Sequence, residues 1–454
     1  MKYLLTVLPL LLVLSLFSCE PRDEVITTDS KAVLEFSGDT VLFDTVFVSQ
    51  GSVTKRLKVF NPNQKAVRIS GVTLAGAASS PYQLTINGIQ SPLVNNIELR
   101  GNDSLYVLVK VNINPSDEPL PFLIADSILF STNGQQQSVK LVAYGQNAYF
   151  HRKESIGNTT WANDKPHVLL DSVLVKENAT LTIPEGTHIY AANKAVLLIN
   201  GQLQVEGTPE KRVIFSSLRR EPDYVTAPGQ WEGIQILTKS AGNVLRYADI
   251  RNTQYGLRIS NPGRAGTLVE GCVVANAFLA GIVGYTSDVK VVNTLIYNCG
   301  QYGFGGLGGG NYELLYSTIA NYGNRLPRQG PALVVQGSGS TDILTSLRLV
   351  NSIIYSESYG FMDEVLLDVG LDATLEIKNN LLRTDLYKEQ FSQNSNILNE
   401  EPIFIAPEKA DFRLDTLSPA SGAAHMLPGI TTDIRGKARN TAKPDMGAYE
   451  RTID

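Results

Sequence analysis

The chain has 454 residues, of which 43% are hydrophobic and 18% charged, with 38 Gly, 21 Pro and a formal net charge of −5. That apolar fraction can bury a core, the length allows two or three domains, and the glycine and proline content favours a turn-rich β protein. The slight acidity, with basic residues scattered rather than clustered, gives no electrostatic footprint for nucleic acid.

At the N-terminus, Lys2 precedes the apolar run YLLTVLPLLLVLSLF, which ends at Ser18-Cys19. The run has signal-peptide length, is short for a bilayer span and lacks a basic stop-transfer flank. With Cys19 at its end it resembles a bacterial lipoprotein signal, although Phe17 is bulkier than that pattern usually has. The resemblance implies that residues 1–18 are removed and that Cys19 opens the mature chain and carries acyl chains, palmitate among them. The expected location is the outer membrane at the cell surface, with the membrane as a partner through the lipid.

Residues 19–32 are polar and read as a tether. From 33 to 147, short β-branched and aromatic runs such as RLKVF and DSLYVLVKVNI are broken by Gly and Asn-Pro-Asn turns. The rhythm predicts a β-sandwich of immunoglobulin type. The run RLKVFNPNQKAVRISGV with the later LVAYGQ resembles the hydin-type and choice-of-anchor D immunoglobulin-like domains.

Residues 148–454 repeat. LRYADIRNT, LVEGCVVANA, VVNTLIYNC, LLYSTIANY, LVNSIIYSE and IKNNLLRTD align on Ile250, Val273, Ile296, Ile319, Ile354 and Leu382, with the first three steps 23 residues each. Asn252, Asn298 and Asn321 recur two positions on. A period near 23 with short strands suits one rung of a parallel β-helix, whose stacked rungs bury a continuous apolar column. The segments ATLTIPEGTHIYAANKAVLLINGQLQVEG and GQWEGIQIL resemble the opening rungs of right-handed parallel β-helix proteins. DIRGKARNTAKPDMGAYE resembles the C-terminal segment of the choice-of-anchor Q β-helix family, through Asp433, Arg435, Gly436, Arg439, Asp445, Gly447 and Glu450. These charged residues are expected to cap the open end of the stack. The fold class is therefore all-β: an N-terminal immunoglobulin-like sandwich followed by a right-handed parallel β-helix.

Gly303, Gly305 and Gly308 have the spacing G-x-G-x-x-G of a dinucleotide cradle. No helix start follows, and the repeat phase runs through them, so they read as a wide turn within a rung and no cofactor is expected. Cys272 reads as a small apolar residue and Cys299 as a turn residue, in registers that oppose a disulfide. His151, His167, His188 and His425 have no metal-ligand spacing. No nucleophile elbow appears, and neither do the paired aspartates and Gly-His-Gly of polygalacturonase-type hydrolases. Asp363, Glu364, Asp368 and Asp372 are the nearest approach to the calcium cluster of pectate lyases, with solvated turn residues as the simpler reading. Six Asp-Ser/Thr-apolar triplets, beginning at Asp39, Asp44, Asp103, Asp126, Asp171 and Asp415, are similar to the O-glycosylation signal of Bacteroidetes-type bacteria. An Asp that opens a strand after a turn explains them equally.

Tyr255, Tyr302 and Tyr359 each precede a glycine at nearly the same phase. On an outer face they would form a column for stacking against sugar rings, with Arg325 and Arg328 on a rim meeting acidic sugars. They would otherwise cover the turns. The function expected is a surface lipoprotein whose β-helix binds glycan or another extended polymer. The alternatives are a polysaccharide lyase or glycoside hydrolase, and a purely structural surface protein. No catalytic or metal residue is assigned.

Overall fold

The computed structural model describes residues 25–48, 51–114, 122–322, 328–339, 343–357 and 363–451. The chain divides into two compact units, residues 1–147 and 148–454. Cys19, Arg325 and Tyr359 lie outside the described residues.

The first unit is a two-sheet sandwich. One sheet contains Ile26–Thr27, Thr40–Phe47, Ala66–Leu74, Leu93–Leu99, Phe122–Thr132 and Gln135–Gln146; the other contains Glu35–Phe36, Lys55–Phe60, Tyr82–Ile86, Ile89–Gln90 and Ser104–Val111. Period-2 alternation drives the packing: in Ser104–Val111 the buried residues are Leu105, Val107, Val109 and Val111. The inner faces meet where Phe36 and Phe130 approach to 4.8 Å and Tyr82 donates its hydroxyl to the Ile124 carbonyl at 2.8 Å. Part of the segment expected as a tether belongs to this unit, because Ile26–Thr27 pairs parallel with Ala66–Val67 and Ala32 and Leu34 are buried.

The second unit is a right-handed parallel β-helix of three sheets. Sheet I runs from Tyr149–His151 to Ile397–Leu398, sheet II from Glu154–Ile156 to Val365–Asp368, and sheet III from Thr159–Thr160 to Thr374–Lys378. One rung is Leu295–Cys299, Tyr302–Leu307 and Gly310–Leu315. The inward column of sheet I is Phe215, Ile250, Val274, Ile296, Ile319, Ile354, Leu382 and Leu398. The repeat alignment is thus corrected by one residue at a single rung, where Val274 and not Val273 holds the column. The correction brings Asn276 into line with Asn252 and Asn298, and all three take a left-handed backbone at the bend between sheets I and II. Asn321 does not.

A second left-handed position closes the six successive rungs from residue 247 to 379 between sheets III and I, at Tyr247, Gly271, Asn293, Tyr316, Asn351 and Asn379. Beside it runs a ladder of side chains that serve the backbone of the preceding rung. Ala248 N–H donates to Cys272 Sγ, Cys272 N–H to Thr294 Oγ1, Ser317 N–H to Ser352 Oγ, Ser352 N–H to Asn380 Oδ1 and Asn380 N–H to Asn396 Oδ1. Cys272 is buried in the apolar core, as expected, and is also a rung of this ladder. Cys299 is buried in the core at the end of its strand rather than in a turn. Both thiols are free.

The glycines 303–308 are mostly strand, not turn. A Cβ at Gly303 would overlap Ile319 Cγ2 from the facing column, and one at Gly306 would lie 2.5 Å from Tyr312 Cε2. Gly308 alone sits in the turn, with φ 76°. No phosphate cradle exists there.

The ends of the stack are closed by different means. At the first rung Trp161 stacks on His151 and His167, each with centroids 4.7 Å away. At the last, Phe391 enters the core and the Tyr387 hydroxyl bridges the N–H and C=O of Leu367 on the edge of sheet II. The C-terminal segment is not the cap that was expected. It lies along the outer side of sheet I, where Phe404, Phe412, Met446 and Ala448 pack on Val273, Leu295 and Tyr297. Its charged residues satisfy one another: Arg439 bonds Glu450, Asn293 and the carbonyls of Asp445 and Gly447, over the Tyr316 ring at 3.9 Å.

Candidate functional site

Over the rungs from Val273 to Leu381 the outer face of sheet I is covered by this segment. That of sheet III carries the ion-pair column Lys290, Glu313, Arg348 and Glu376, with successive separations of 3.4, 3.3 and 2.8 Å. Sheet II presents a different outer surface. Its strand alternation sends Leu174, Leu198, Gln235, Arg258 and Val283 outward in one vertical register. One step aside, Tyr255, Ala280 and Tyr302 form a second register. The two tyrosines therefore stand two rungs apart, about 10 Å at the ordinary strand spacing.

Arg258 joins the two registers. Its guanidinium lies 5.8 Å from the Tyr255 ring and 5.4 Å from the Tyr285 ring. Planar cation and aromatic faces so placed hold one another in fixed orientations. Burial, followed by the nearby Tyr285, holds the Tyr255 hydroxyl above its ordinary pKa, so it remains a neutral donor. The Tyr302 ring and Val283 both lie beside Gly305, where a Cβ would meet Val283 Cγ2 at 3.2 Å and Tyr302 Cδ2 at 3.3 Å, and Val283 is buried although it points outward. Phe278, 47% exposed, stands at the bend two residues before Ala280. Arg258 also walls a cleft of about 390 Å³ lined by Leu174, Asn200, Gln235, Thr238 and Ser260 among others. Platform and cleft are one continuous surface with apolar, amide, hydroxyl and cationic groups.

The structure places Tyr255 and Tyr302 in one column, as their shared phase predicts. It gives Arg328 a different role from the expected rim. The side chain is 6% exposed and pairs in bidentate fashion with Glu364, which is fully buried, while Nη1 also donates to Ser356 Oγ at 3.1 Å. An arginine consumed in a buried pair cannot meet a sugar. The acidic cluster is dispersed for the same reason: Glu364 belongs to this pair, Asp363 accepts from Thr384, Asp385 and Leu386, and Asp368 accepts from Gln336. Among the described residues no three His, Cys, Asp or Glu converge as a metal site. Arg258, Tyr285 and Phe278 were missed in sequence. The signal of Arg258 and Tyr285 is the period-2 outward phase of sheet II, readable only once the rung register is known, whereas Phe278 stands at the bend before its strand.

A further group escaped the sequence because parallel pairing brings it together. His151 Nε2–H donates to His167 Nδ1 at 2.8 Å, and His167 Nε2–H donates to the Ala162 carbonyl at 2.9 Å. A carbonyl only accepts, so His167 carries its proton on Nε2 and takes its bond from His151 at Nδ1. His151 Nδ1 faces the Glu154 carboxyl, completing the chain. Burial is the main cause that lowers the His167 pKa to about 4.

Residues 153–266 match the family model of the pectate-lyase-like β-helix domain. No curated protein matches the chain. Among solved structures, it is similar to a family 123 glycoside hydrolase from Clostridium perfringens, with 8% identity, 25% of each chain covered and a TM-score of 0.18. It is also similar to the ASH/PapD-like domain 7 of human CEP192, with 11% identity, 29% of this chain and 94% of that one covered and a TM-score of 0.19. A protein of unknown function from Porphyromonas gingivalis W83 matches at 10% identity, with 28% and 60% covered and a TM-score of 0.18. The chain spans a quarter of the length of the Clostridium perfringens enzyme.

Proposed function

We propose that this protein is a lipid-anchored surface protein that binds an extended polysaccharide along the outer face of sheet II. The observation that carries the reading is Arg258, held between the Tyr255 and Tyr285 rings and forming a wall of the adjoining cleft. Flat aromatic faces suit sugar rings, and the amide and hydroxyl groups of Asn200, Gln235 and Ser260 suit sugar hydroxyls. The pectate-lyase-like β-helix match at 153–266 supports polysaccharide as the partner class. The run ending at Cys19 supports the anchor, and Cys19→Ala would release the protein from membranes.

The test is a retention screen on immobilised polysaccharides, comparing wild type with Tyr255→Ala, Arg258→Ala and Tyr302→Ala. Loss of retention in all three, with circular dichroism unchanged, supports the surface; retention unchanged in all three refutes it. The same incubations are read for new reducing and unsaturated ends, whose appearance would favour the lyase or hydrolase reading.

A further inference from the structure

A second cleft, also of about 390 Å³, opens beside sheet I and is lined by Tyr322, Tyr355, Glu357, Arg383, Glu401 and Pro407. The stacking of rungs builds it. Tyr355 follows the inward Ile354 and so faces outward, in register with Ala320, while Arg383 directly follows Leu382, the partner of Ile354. Tyr322 and Glu357 each follow the end of their strand, and Glu401 and Pro407 arrive from the C-terminal segment. Tyr322 is wedged edge-on against Phe404 and Phe412, with centroids 5.7 and 6.0 Å away. It is 8% exposed.

The polar groups of this cleft are not consumed by the fold. Among the described residues, the hydroxyls of Tyr322 and Tyr355 and the carboxylates of Glu357 and Glu401 make no hydrogen bonds, although all four side chains line the same small space. The Tyr322 side chain is more than nine-tenths buried and its hydroxyl has no partner among the described residues, so its hydrogen bond is left for a group that enters the cleft. Among the described residues of the lining the one cation is already engaged: Arg383 donates Nη1 to the Ser356 carbonyl at 2.6 Å and lies 5.5 Å from the Tyr355 ring. Two unpaired carboxylates against one engaged guanidinium make the described lining net anionic, which repels uronates and attracts ammonium groups. Aromatic walls, hydroxyls and carboxylate acceptors suit a hydroxylated ring.

We propose that this cleft binds a sugar unit bearing a free amine, as a site separate from the outer face of sheet II. No residue of that face lines this cleft, so the two sites stand or fall separately.

Isothermal titration calorimetry of the full chain tests it with three probes: a glucosamine tetramer, its N-acetylated counterpart and a galacturonate tetramer. The glucosamine tetramer is expected to bind at least tenfold more tightly than either of the others. Glu357→Gln combined with Glu401→Gln should weaken it at least tenfold, and Tyr322→Phe, which removes only the oxygen, severalfold with the melting temperature kept. Arg258→Ala should leave this binding unchanged. No binding of the glucosamine tetramer, equal or tighter binding of the acetylated form, or insensitivity to the double glutamine change would overturn the proposal. Loss of binding in Arg258→Ala alone would move the amine site to sheet II and equally overturn it.

Discussion

Tyr312 occupies the space that a side chain at residue 306 would need. Its ring lies against the backbone of Gly306, and its hydroxyl donates to the Gly309 carbonyl at 2.6 Å. Gly306→Ala should therefore overpack the interior and cost about 1–3 kcal/mol in denaturant unfolding. Adding Tyr312→Leu to that change should restore part of the loss by vacating the ring's volume. If Gly306→Ala unfolds like the wild type, the ring is not where the structure places it.

Removing one partner of the Arg328–Glu364 pair leaves the other charged and buried. Arg328→Ala should lower stability by about 3–5 kcal/mol. Arg328→Met with Glu364→Met should recover most of it, because no charge is then stranded. Urea unfolding of the three proteins separates this from a surface role, in which Arg328→Ala would cost well under 1 kcal/mol.

The side-chain ladder makes a graded prediction. Asn380→Ala orphans the Ser352 N–H, and its own amide no longer donates to the Leu349 carbonyl at 2.8 Å. The expected cost is about 1–3 kcal/mol. Cys272→Ser replaces a weak sulfur acceptor by a better one at the same rung and should change stability by less than about 1 kcal/mol. Burial pushes the Cys272 thiol up to about 11, so alkylation of the native protein at pH 8 should be negligible until it unfolds.

The first rung should be acid-sensitive. His167 has an ordinary pKa of 6.5 when unfolded and about 4 when folded, so the unfolded state binds more protons between those values. Its contribution is complete above pH 6.5 and is lost as pH falls toward 4, a matter of roughly 2–3 kcal/mol. Unfolding free energy measured at pH 7 and 4.5 should fall more for the wild type than for His167→Phe. Equal falls would mean that His167 does not titrate in that range.

The β-helix was legible in the sequence because each rung must supply an apolar residue to the same column. Ile250, Ile296, Ile319, Ile354 and Leu382 were all placed correctly by their spacing. Val273 was not, and the reason is physical. At this rung sheet I is buried on both faces, so Val273 and Val274 are both apolar and buried, and the alternation that sets register in a half-exposed strand is absent. The left-handed Asn276, which settles the register, became readable only in the folded chain. The shared phase of Tyr255 and Tyr302 survived because it is a property of the repeat itself. Stacking alone decided the rest. It brings His167 to His151 across 16 residues and Glu364 to Arg328 across 36, and it sets Glu401 of the C-terminal segment beside Tyr322. Separations like these depend on how many residues each turn inserts between strands, and no local pattern of side chains encodes that length.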